Sequence, residues 1–528
     1  MSQSADLHQQ KRGGVLAWIE RTGNALPDPV FIFLWLIAFL VAISVGLAAI
    51  GLSAPHPTQV DANGDPMIIS AASLLSADNI QKLWVEMPTT FTYFPPLGYV
   101  LVVMLGAGVA ERSGLFATAM RAGVRDAPKV ILTPVIVFVA MMGNLAADAA
   151  YVVLIPLAGL LFAAVGRHPV AGIAAAFAAV SGGFSANLLP GQLDALLFGI
   201  TEAASEALVP TWDANIAGNW FFIAAMLCVF LPVIWFVTDK IIEPRLGPWT
   251  GGLSGDGEAD AGEVDAPITP EEFKGLRWAG LACLAVIGLW IFMTVGPGTP
   301  LINEDAKPEA RLSPFYQSLV AAFFLLFIAA GWAYGAAAGT VKDHHDIVRM
   351  MSESMAALSY YLVLAFAAAH FVAMFNWSNL GLIFAVNGAA FIEAANLPIP
   401  ITLGLIVLLT GLTNLFVGSA SAKWALLAPV LVPMLMILGV SPEMTTAAYR
   451  VGDSATNIIT PLMVYFPLIL TFCQKWDKNF GLGSLAAIML PYSLYLMAFG
   501  LVMTVGWAAL DLPLGFGVPV SYTLPSGQ

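Results

Sequence analysis

Residues 181–201, SGGFSANLLPGQLDALLFGIT, place glycines, serines, a proline and Asn187 inside an otherwise apolar segment. A second segment of this kind surrounds Asn457, and an Asn-Leu pair precedes each of them, at Asn144 and Asn414. Both pairs of asparagines are related by a shift of 270 positions (414−144 and 457−187). Interruptions this regular predict a duplicated membrane unit with broken helices, where secondary transporters form their ion and substrate sites.

The composition is that of a chain that lies in lipid. Hydrophobic residues make up 59% of the sequence, charged residues only 10%, and the mean hydropathy is +0.82. These values predict a helical membrane protein that crosses the bilayer several times. The net charge of −13 argues against nucleic acid as a partner.

Two segments, 129–165 and 399–438, are each too short to cross the bilayer twice and carry a polar tip at their centre. Such segments predict re-entrant helical hairpins. Arg121 and Arg167 flank the first hairpin, which puts both of its ends on the positively charged, cytoplasmic side. The second hairpin is followed by residues 439–443, which include no basic residue, so its ends are predicted on the outer face.

A broken span follows each hairpin, at 170–200 and at 442–472. Because the two units have opposite polarity, we expect an inverted repeat, and the fold class is an all-α integral membrane protein. The predicted order is a cytoplasmic N-terminus at 1–29, a first transmembrane half at 30–240, an acidic cytoplasmic linker at 241–275, a second transmembrane half at 276–510 and a C-terminal tail at 511–528.

Ionisable residues at membrane depth are costly and therefore indicate a use or a partner. They are densest in the second unit, with Lys423-Trp424 at the hairpin and Arg450 and Asp453 three residues apart. On one helix face Arg450 and Asp453 can pair with each other as a structural ion pair. Alternatively, Arg450 binds a substrate carboxylate and Asp453 helps bind a small cation at the helix break, and this second interpretation is favoured. Trp424 either stacks on an aromatic ligand or serves only in packing.

The first unit offers Asp194 after its break and Asp148 in its hairpin tip. Either aspartate is a candidate for a proton or a substrate amine, and Asp148 alternatively caps the returning helix. The asparagines at 144, 187, 414 and 457 either satisfy backbone groups freed by the breaks or supply hard oxygen ligands, and their symmetry favours cation sites. His370 and Glu393 are interpreted as structural polar residues.

Three segments together resemble the p-aminobenzoyl-glutamate transporter (AbgT) family: 181–201, GLTNLFVGSASAKWALLAPVLVPM at 411–434 and YRVGDSATNIITPLMVYFPLI at 449–469. The resemblance implies a homodimer with about nine transmembrane helices and two hairpins per protomer, in a bacterial inner membrane with a cytoplasmic N-terminus. It also implies import of p-aminobenzoyl-glutamate or export of p-aminobenzoate and sulfonamides. The substrate-site positions it implies are Asp194, Ser421, Trp424, Pro442, Arg450 and Pro461, and a cation site, with sodium as the candidate, at Asn414 and Asp453.

The sequence thus favours a secondary transporter, not an enzyme, that couples an aromatic carboxylate to protons or sodium. No organic cofactor is expected, and a sodium ion is the one bound group considered. A sodium-coupled importer of other carboxylates is the main alternative. An intramembrane serine hydrolase using Ser185 and His370 lacks a supporting G-x-S-x-G motif, and a passive channel would not accumulate its solute against a gradient. Direction of transport, coupling ion and physiological solute do not follow from the sequence.

Overall fold

The computed structural model describes residues 29–60, 66–125, 128, 131–146, 149–249, 268–295, 298–304, 313–460, 463, 465–478 and 480–525. The first half contains α1 Pro29–Ala49, β1 Ser53–Val60, β2 Pro66–Ser70, α2 Ala77–Val85, α3 Met87–Thr92, α4 Pro95–Arg112, α5 Leu115–Arg125, α6 Leu132–Met142, α7 Ala149–Ala164, α8 Pro169–Phe177, α9 Gln192–Ser205, α10 Trp220–Val237 and α11 Glu243–Leu246. The second half contains α12 Pro270–Phe292, α13 Ser313–Gln317, α14 Leu319–Ala338, α15 His344–Ala357, α16 Ser359–Trp377, α17 Leu380–Ala394, α18 Ile399–Asn414, α19 Ala420–Ile437, α20 Pro442–Thr456, α21 Phe466–Gln474 and α22 Leu482–Ala509.

The predicted helical membrane architecture is confirmed. Within the described residues, seven helices are long and apolar enough to cross a bilayer, and shorter apolar helices accompany them. Helix α12 shows the lipid-facing character most clearly, because Leu281, Leu284 and Ile287 are exposed along it. In lipid such a surface costs nothing, since the surrounding hydrocarbon is as apolar as the side chains.

The first hairpin consists of α6 and α7, joined through a short 3-10 turn at Gly143–Ala146. Helix α6 has 11 residues, and at about 1.5 Å per residue it reaches only about half-way through a 30 Å hydrocarbon core. The second hairpin consists of α18 and α19, where the side chain of Ser419 caps α19 by accepting a hydrogen bond from the Ala422 amide at 3.3 Å.

A broken span follows each hairpin in the same order. Helix α8 continues as a π-helical turn at Ala178–Gly182, and the chain is irregular before α9 begins at Gln192. Helix α20 ends at Thr456, and α21 begins only at Phe466. A long apolar helix then closes each half, α10 in the first and α22 in the second. The irregular backbone lies inside the protein, where other groups can satisfy its polar atoms.

A second layer, made of α4, α12 and α14, packs beside this hairpin-bearing core. Small residues let its helices approach closely: a Cβ on Gly331 of α14 would lie 2.6 Å from the backbone nitrogen of Ala110 in α4. Tyr99 of α4 joins this layer to the core by donating a hydrogen bond to Glu202 of α9 at 2.9 Å. We call this layer the scaffold.

Two features were not predicted. Strands β1 and β2 form an antiparallel pair with Ala54 opposite Ile69, so the described residues contain a small β-hairpin besides their helices. In the predicted C-terminal tail, the Ser441 amide donates to the carbonyl of Val520 at 2.8 Å, and the Phe221 amide donates to that of Leu514 at 2.8 Å. The tail therefore packs on the starts of α10 and α20.

Most of the predicted linker and nearly all of the N-terminal segment lie outside the described residues.

Candidate functional site

The two broken spans meet in the centre of the protein. The backbone amide of Ser185 donates to Ser454 Oγ at 3.2 Å. The Asn457 side-chain amide donates to the carbonyl of Ser181 at 3.4 Å, and Ser181 Oγ donates to the sulfur of Met463 at 3.0 Å. Each break is thus stabilised by polar groups of the opposite half.

The symmetric asparagines bind the breaks to the hairpin tips. Asn414 Nδ2 donates to the Asp453 carbonyl at 2.8 Å, and Asn144 Nδ2 donates to the Gly183 carbonyl at 3.3 Å. Positions 453 and 183 are also 270 apart, so these are equivalent bonds in the two halves. Asn187 Nδ2 donates to the Met141 carbonyl at 3.3 Å. These amides satisfy backbone carbonyls, which is the alternative role considered for them from sequence.

Asn414 makes further bonds for which Asn144 has no equivalent among the described residues. Its Nδ2 also donates to Thr456 Oγ1 at 2.9 Å and to Asn457 Oδ1 at 2.8 Å. With its amide hydrogens directed at α20 and the following break, its Oδ1 faces the opposite way, towards the first turn of α19. The second tip is therefore a connected polar cluster, which is fully buried at Asn414.

Lys423 of α19 lies in this cluster. Its ammonium donates to Asn414 Oδ1 and to Asp453 Oδ1, and its side chain is fully buried. These two oxygens are the ones expected to bind sodium. The residues present do not fit a sodium ion beside this lysine, because both ligand oxygens are occupied and two unit charges about 4 Å apart repel by about 4 kcal/mol at an effective dielectric constant of 20.

Arg450 of α20 pairs across the halves with Asp194 of α9. Arg450 Nη2 donates to Asp194 Oδ1 at 2.6 Å, and both side chains are buried. Asp194 is held by a second bond, from the Gly191 amide to its Oδ2 at 2.7 Å, which also caps α9. The Nε atom of Arg450 is buried and has no hydrogen-bond partner among the described residues.

The helical pairing of Arg450 with Asp453, considered from their spacing, is not what the structure contains. Arg450 binds Asp194 and Asp453 binds Lys423. Two separate buried ion pairs thus lie within one turn of α20, one joining the halves and one joining α20 to the second hairpin.

Trp424 lies next to the Arg450 pair and is fully buried. Its indole Nε1 donates to Thr201 Oγ1 at 3.0 Å, and the Thr201 and Thr446 hydroxyls are 2.8 Å apart. Its ring lies 4.4 Å from that of Tyr449 at an interplanar angle of 31°. Sequence reasoning missed Thr201, although its position seven residues after Asp194 puts it on the same face of α9.

Ser421 lines an apolar pocket between α9, α16 and α19. Its lining includes Leu196, Ile200 and Tyr361, and its enclosed volume is about 10 Å³. This is about the space of one water molecule, so the pocket does not hold an aromatic substrate in this conformation. Pro442 is buried at the start of α20, behind the cap that Ser441 forms. Pro461 and Asp148 lie outside the described residues.

The hydrolase alternative gains no support from the geometry. Ser185 Oγ is buried without a hydrogen-bond partner among the described residues, so no base activates it there. His370 bonds instead to the carbonyl of Phe366, four residues earlier on its own helix, at 2.7 Å. Nucleophilic catalysis needs a base within hydrogen-bond reach of the serine.

Comparison with known proteins identifies relatives over nearly the whole length. The family described as the AbgT putative transporter family matches residues 14–522. The p-aminobenzoyl-glutamate transport protein of Escherichia coli (strain K12) is 35% identical over 519 residues, covering 98% of this chain and 99% of that protein. The MtrF structure of Neisseria gonorrhoeae, described among antimetabolite efflux pumps, has a TM-score of 0.88 and 41% identity over 97% of this chain and 100% of that one. The structure of the YdaH transporter of Alcanivorax borkumensis has a TM-score of 0.84 and 41% identity, over 93% of this chain and 100% of that one.

Proposed function

This chain belongs to the AbgT family of membrane transporters, and we propose that it is a cation-coupled secondary transporter of small aromatic carboxylates of the p-aminobenzoyl-glutamate and p-aminobenzoate type. The relatives are transport proteins, which supports a transporter and not an enzyme. The E. coli relative supports the substrate class by its name. Residues at the junction of the two broken spans carry the proposal for this chain.

The observation on which the proposal rests is the buried Arg450–Asp194 pair. Arg450 lies between the halves and uses Nη2 for Asp194, while its Nε has no partner in the part of the chain that the structure describes. A buried guanidinium with an unused donor is suited to a second carboxylate, because carboxylates bind arginine in a planar, two-bond geometry. We propose that a substrate carboxylate competes with Asp194 for Arg450.

The aromatic part of the substrate is assigned to the neighbouring apolar surfaces. Trp424 and Tyr449 form an aromatic layer beside Arg450, and the pocket at Ser421 adjoins the same helices, α9 and α19. Aromatic rings stack favourably on such surfaces. Because the site is closed in this structure, binding requires the core to move relative to the scaffold, as alternating access demands. Pro442 and Pro461 are proposed to border this site, as the family resemblance implies.

For the coupling cation we propose two acidic groups, Asp453 for a proton and Asp194 for a proton or sodium, with the asparagines at 144, 187, 414 and 457 shaping the breaks around them. The gradient that drives transport, protons or sodium, is part of the proposal. Export of sulfonamide-type antimetabolites is a second mode, favoured by the likeness to MtrF. A homodimer in a bacterial inner membrane, with a cytoplasmic N-terminus, completes the proposal. Light scattering in detergent tests the dimer, and protease access to a tag on the N-terminus tests the orientation.

Counterflow in proteoliposomes tests the function directly. Labelled p-aminobenzoyl-glutamate and p-aminobenzoate should accumulate in liposomes preloaded with the unlabelled compound, and imposed proton or sodium gradients should identify the driving ion. Arg450→Ala should reduce uptake at least about 100-fold, since a bidentate charged contact contributes about 3 kcal/mol or more when buried. Arg349→Ala, which removes an exposed arginine paired with Asp346, is the matched control and should retain uptake.

Full uptake by Arg450→Ala would remove this residue from the mechanism. Absence of uptake of both compounds by the wild type, together with uptake of aliphatic dicarboxylates, would favour the alternative of an importer of other carboxylates.

A further inference from the structure

The second hairpin tip already contains a cation of its own. The ammonium of Lys423 contacts Asn414 Oδ1 and Asp453 Oδ1, and it lies 5.8 Å from the centre of the Tyr449 ring. The side chain is 0% exposed and that of Asp453 is 2% exposed. An ammonium so completely buried needs acceptors on several sides, and the carboxylate, the amide oxygen and the aromatic face supply them.

The surrounding bonds fix the acceptors in place. Asn414 Nδ2 is committed to the Asp453 carbonyl, to Thr456 and to Asn457 at 2.8–2.9 Å. The two amide hydrogens are shared among these three acceptors, so Oδ1 is held towards Lys423 and cannot turn away without breaking those hydrogen bonds. Lys423 lies in the first turn of α19, and Ser419 caps that helix. The donor and both acceptors are thus preorganised on separate elements.

The sequence of the first half has neither a lysine nor an aspartate at the positions equivalent to Lys423 and Asp453. A shift of 270 positions places Val153 where the second half has Lys423, and Gly183 where it has Asp453. The asparagine-to-carbonyl bond is made in both halves, and in the first half it is made to Gly183, which carries no charge. The lysine is therefore not needed for the repeated backbone arrangement, and it is an addition specific to the cation-site half.

We infer that Lys423 is a built-in cation that occupies the position of an alkali ion at Asn414 and Asp453. Sodium and the lysine ammonium compete for the same two oxygens, so the wild-type protein does not bind sodium there. Removing the lysine charge should convert the cluster into a sodium site, because an unpaired carboxylate, an amide oxygen and nearby hydroxyls are hard oxygen ligands. This inference deepens the proposed transport function. It rests on that function for one consequence only, which is that transport by the wild type needs no sodium at this site.

The test is sodium-dependent thermal unfolding of the purified full-length protein in detergent. Sodium chloride is compared with choline chloride at constant ionic strength, so that only ion identity changes. The wild type should unfold at the same temperature in both salts. Lys423→Met should be stabilised by sodium by about 3 °C or more, as expected when a ligand binds only the folded state. The double variant Lys423→Met/Asp453→Asn should lose that stabilisation.

Absence of sodium stabilisation in Lys423→Met would overturn the inference. If that variant does not fold, Lys423→Gln takes its place with the same two expected outcomes. A second test needs no lysine variant. If sodium specifically stabilises the wild type and this stabilisation disappears in Asp453→Asn, the inference is also overturned. If sodium does not stabilise the wild type, or stabilises wild type and Asp453→Asn equally, the inference is supported. Because this readout uses no cargo, failure of p-aminobenzoyl-glutamate uptake would count against the transport proposal alone.

Discussion

The two hairpin tips use the same asparagine bond but differ in charge. Asn144 in the first half and Asn414 in the second each donate to the carbonyl 39 residues later. Around Asn414 lie a buried lysine and a buried aspartate, whereas the sequence places Val153 and Gly183 at the equivalent positions of the first half. Arg450 likewise corresponds to Val180.

This difference separates what the repeat does for the fold from what one half does for function. A carbonyl freed by a helix break must be satisfied in either half, and one amide is sufficient for it. Buried charges are expensive and are retained where a use offsets their cost. The two buried ion pairs take Lys423, Asp453 and Arg450 from the second half, while the first half contributes Asp194 as the partner of Arg450.

The largest expected effect concerns the ion pair between the halves. Asp194→Leu leaves the Arg450 guanidinium buried without its partner, and removing one member of a buried pair costs about 3–5 kcal/mol. Val180→Ala, at the position equivalent to Arg450, removes only methyl groups and should cost about 1–2 kcal/mol. The two losses are compared by thermal unfolding in detergent.

A double variant sharpens this comparison. Arg450→Met/Asp194→Leu removes both charges together, and it should be more stable than Asp194→Leu alone, because apolar replacement of a whole buried pair is often neutral. Equal stability of Asp194→Leu and Val180→Ala would contradict the view that charge distinguishes the two halves.

An intermediate effect is expected at a second symmetric pair, Gly182 and Gly452. A Cβ on Gly452 would collide with Thr410 Oγ1 and with the Val407 carbonyl, and would lie 2.9 Å from the Gly411 nitrogen, so α18 would have to move. A Cβ on Gly182 would lie 2.8 Å from the end of the Leu496 side chain, which can shift. Gly452→Ala should therefore cost about 3 kcal/mol, the upper part of the overpacking range, and Gly182→Ala about 1 kcal/mol.

Unfolding midpoints of these two alanine variants check the difference in packing, with transport measured alongside. If Gly182→Ala proved as damaging as Gly452→Ala, the second hairpin would not be packed more tightly on its broken span than the first.

The sequence predicted the elements that depend on local pattern. The shift of 270 positions predicted matching helix breaks in the two halves, because glycine, serine and asparagine within an apolar segment disfavour a continuous helix. The apolar sequence around Arg450, Asp453 and Asp194 separately predicted that these ionisable residues lie at membrane depth.

What the sequence could not predict is which charge pairs with which. The spacing of residues on α20 allowed an ion pair between Arg450 and Asp453. In the structure Arg450 pairs instead with Asp194, which lies 256 residues away in sequence. Lys423 seemed to belong to a polar tip, and only the packing of α19 against α20 shows its side chain turned inward. The tail at 511–525 lacks any periodic pattern, so its backbone bonds to Ser441 and Phe221 had no signal in the sequence.

The smallest effect separates the two asparagines themselves. Asn414→Ala removes the amide that donates to three acceptors and also an acceptor of Lys423, which leaves a buried ammonium with one oxygen fewer and should cost about 2 kcal/mol. Asn144→Ala removes one bond of 3.3 Å at a half-buried position and should cost less than about 1 kcal/mol. Equal losses in unfolding experiments would mean that both asparagines act only on the backbone. A greater loss at Asn414 that vanishes in a Lys423→Met background would instead trace the difference between the tips to the lysine, since the amide bonds to the backbone carbonyl are common to both halves.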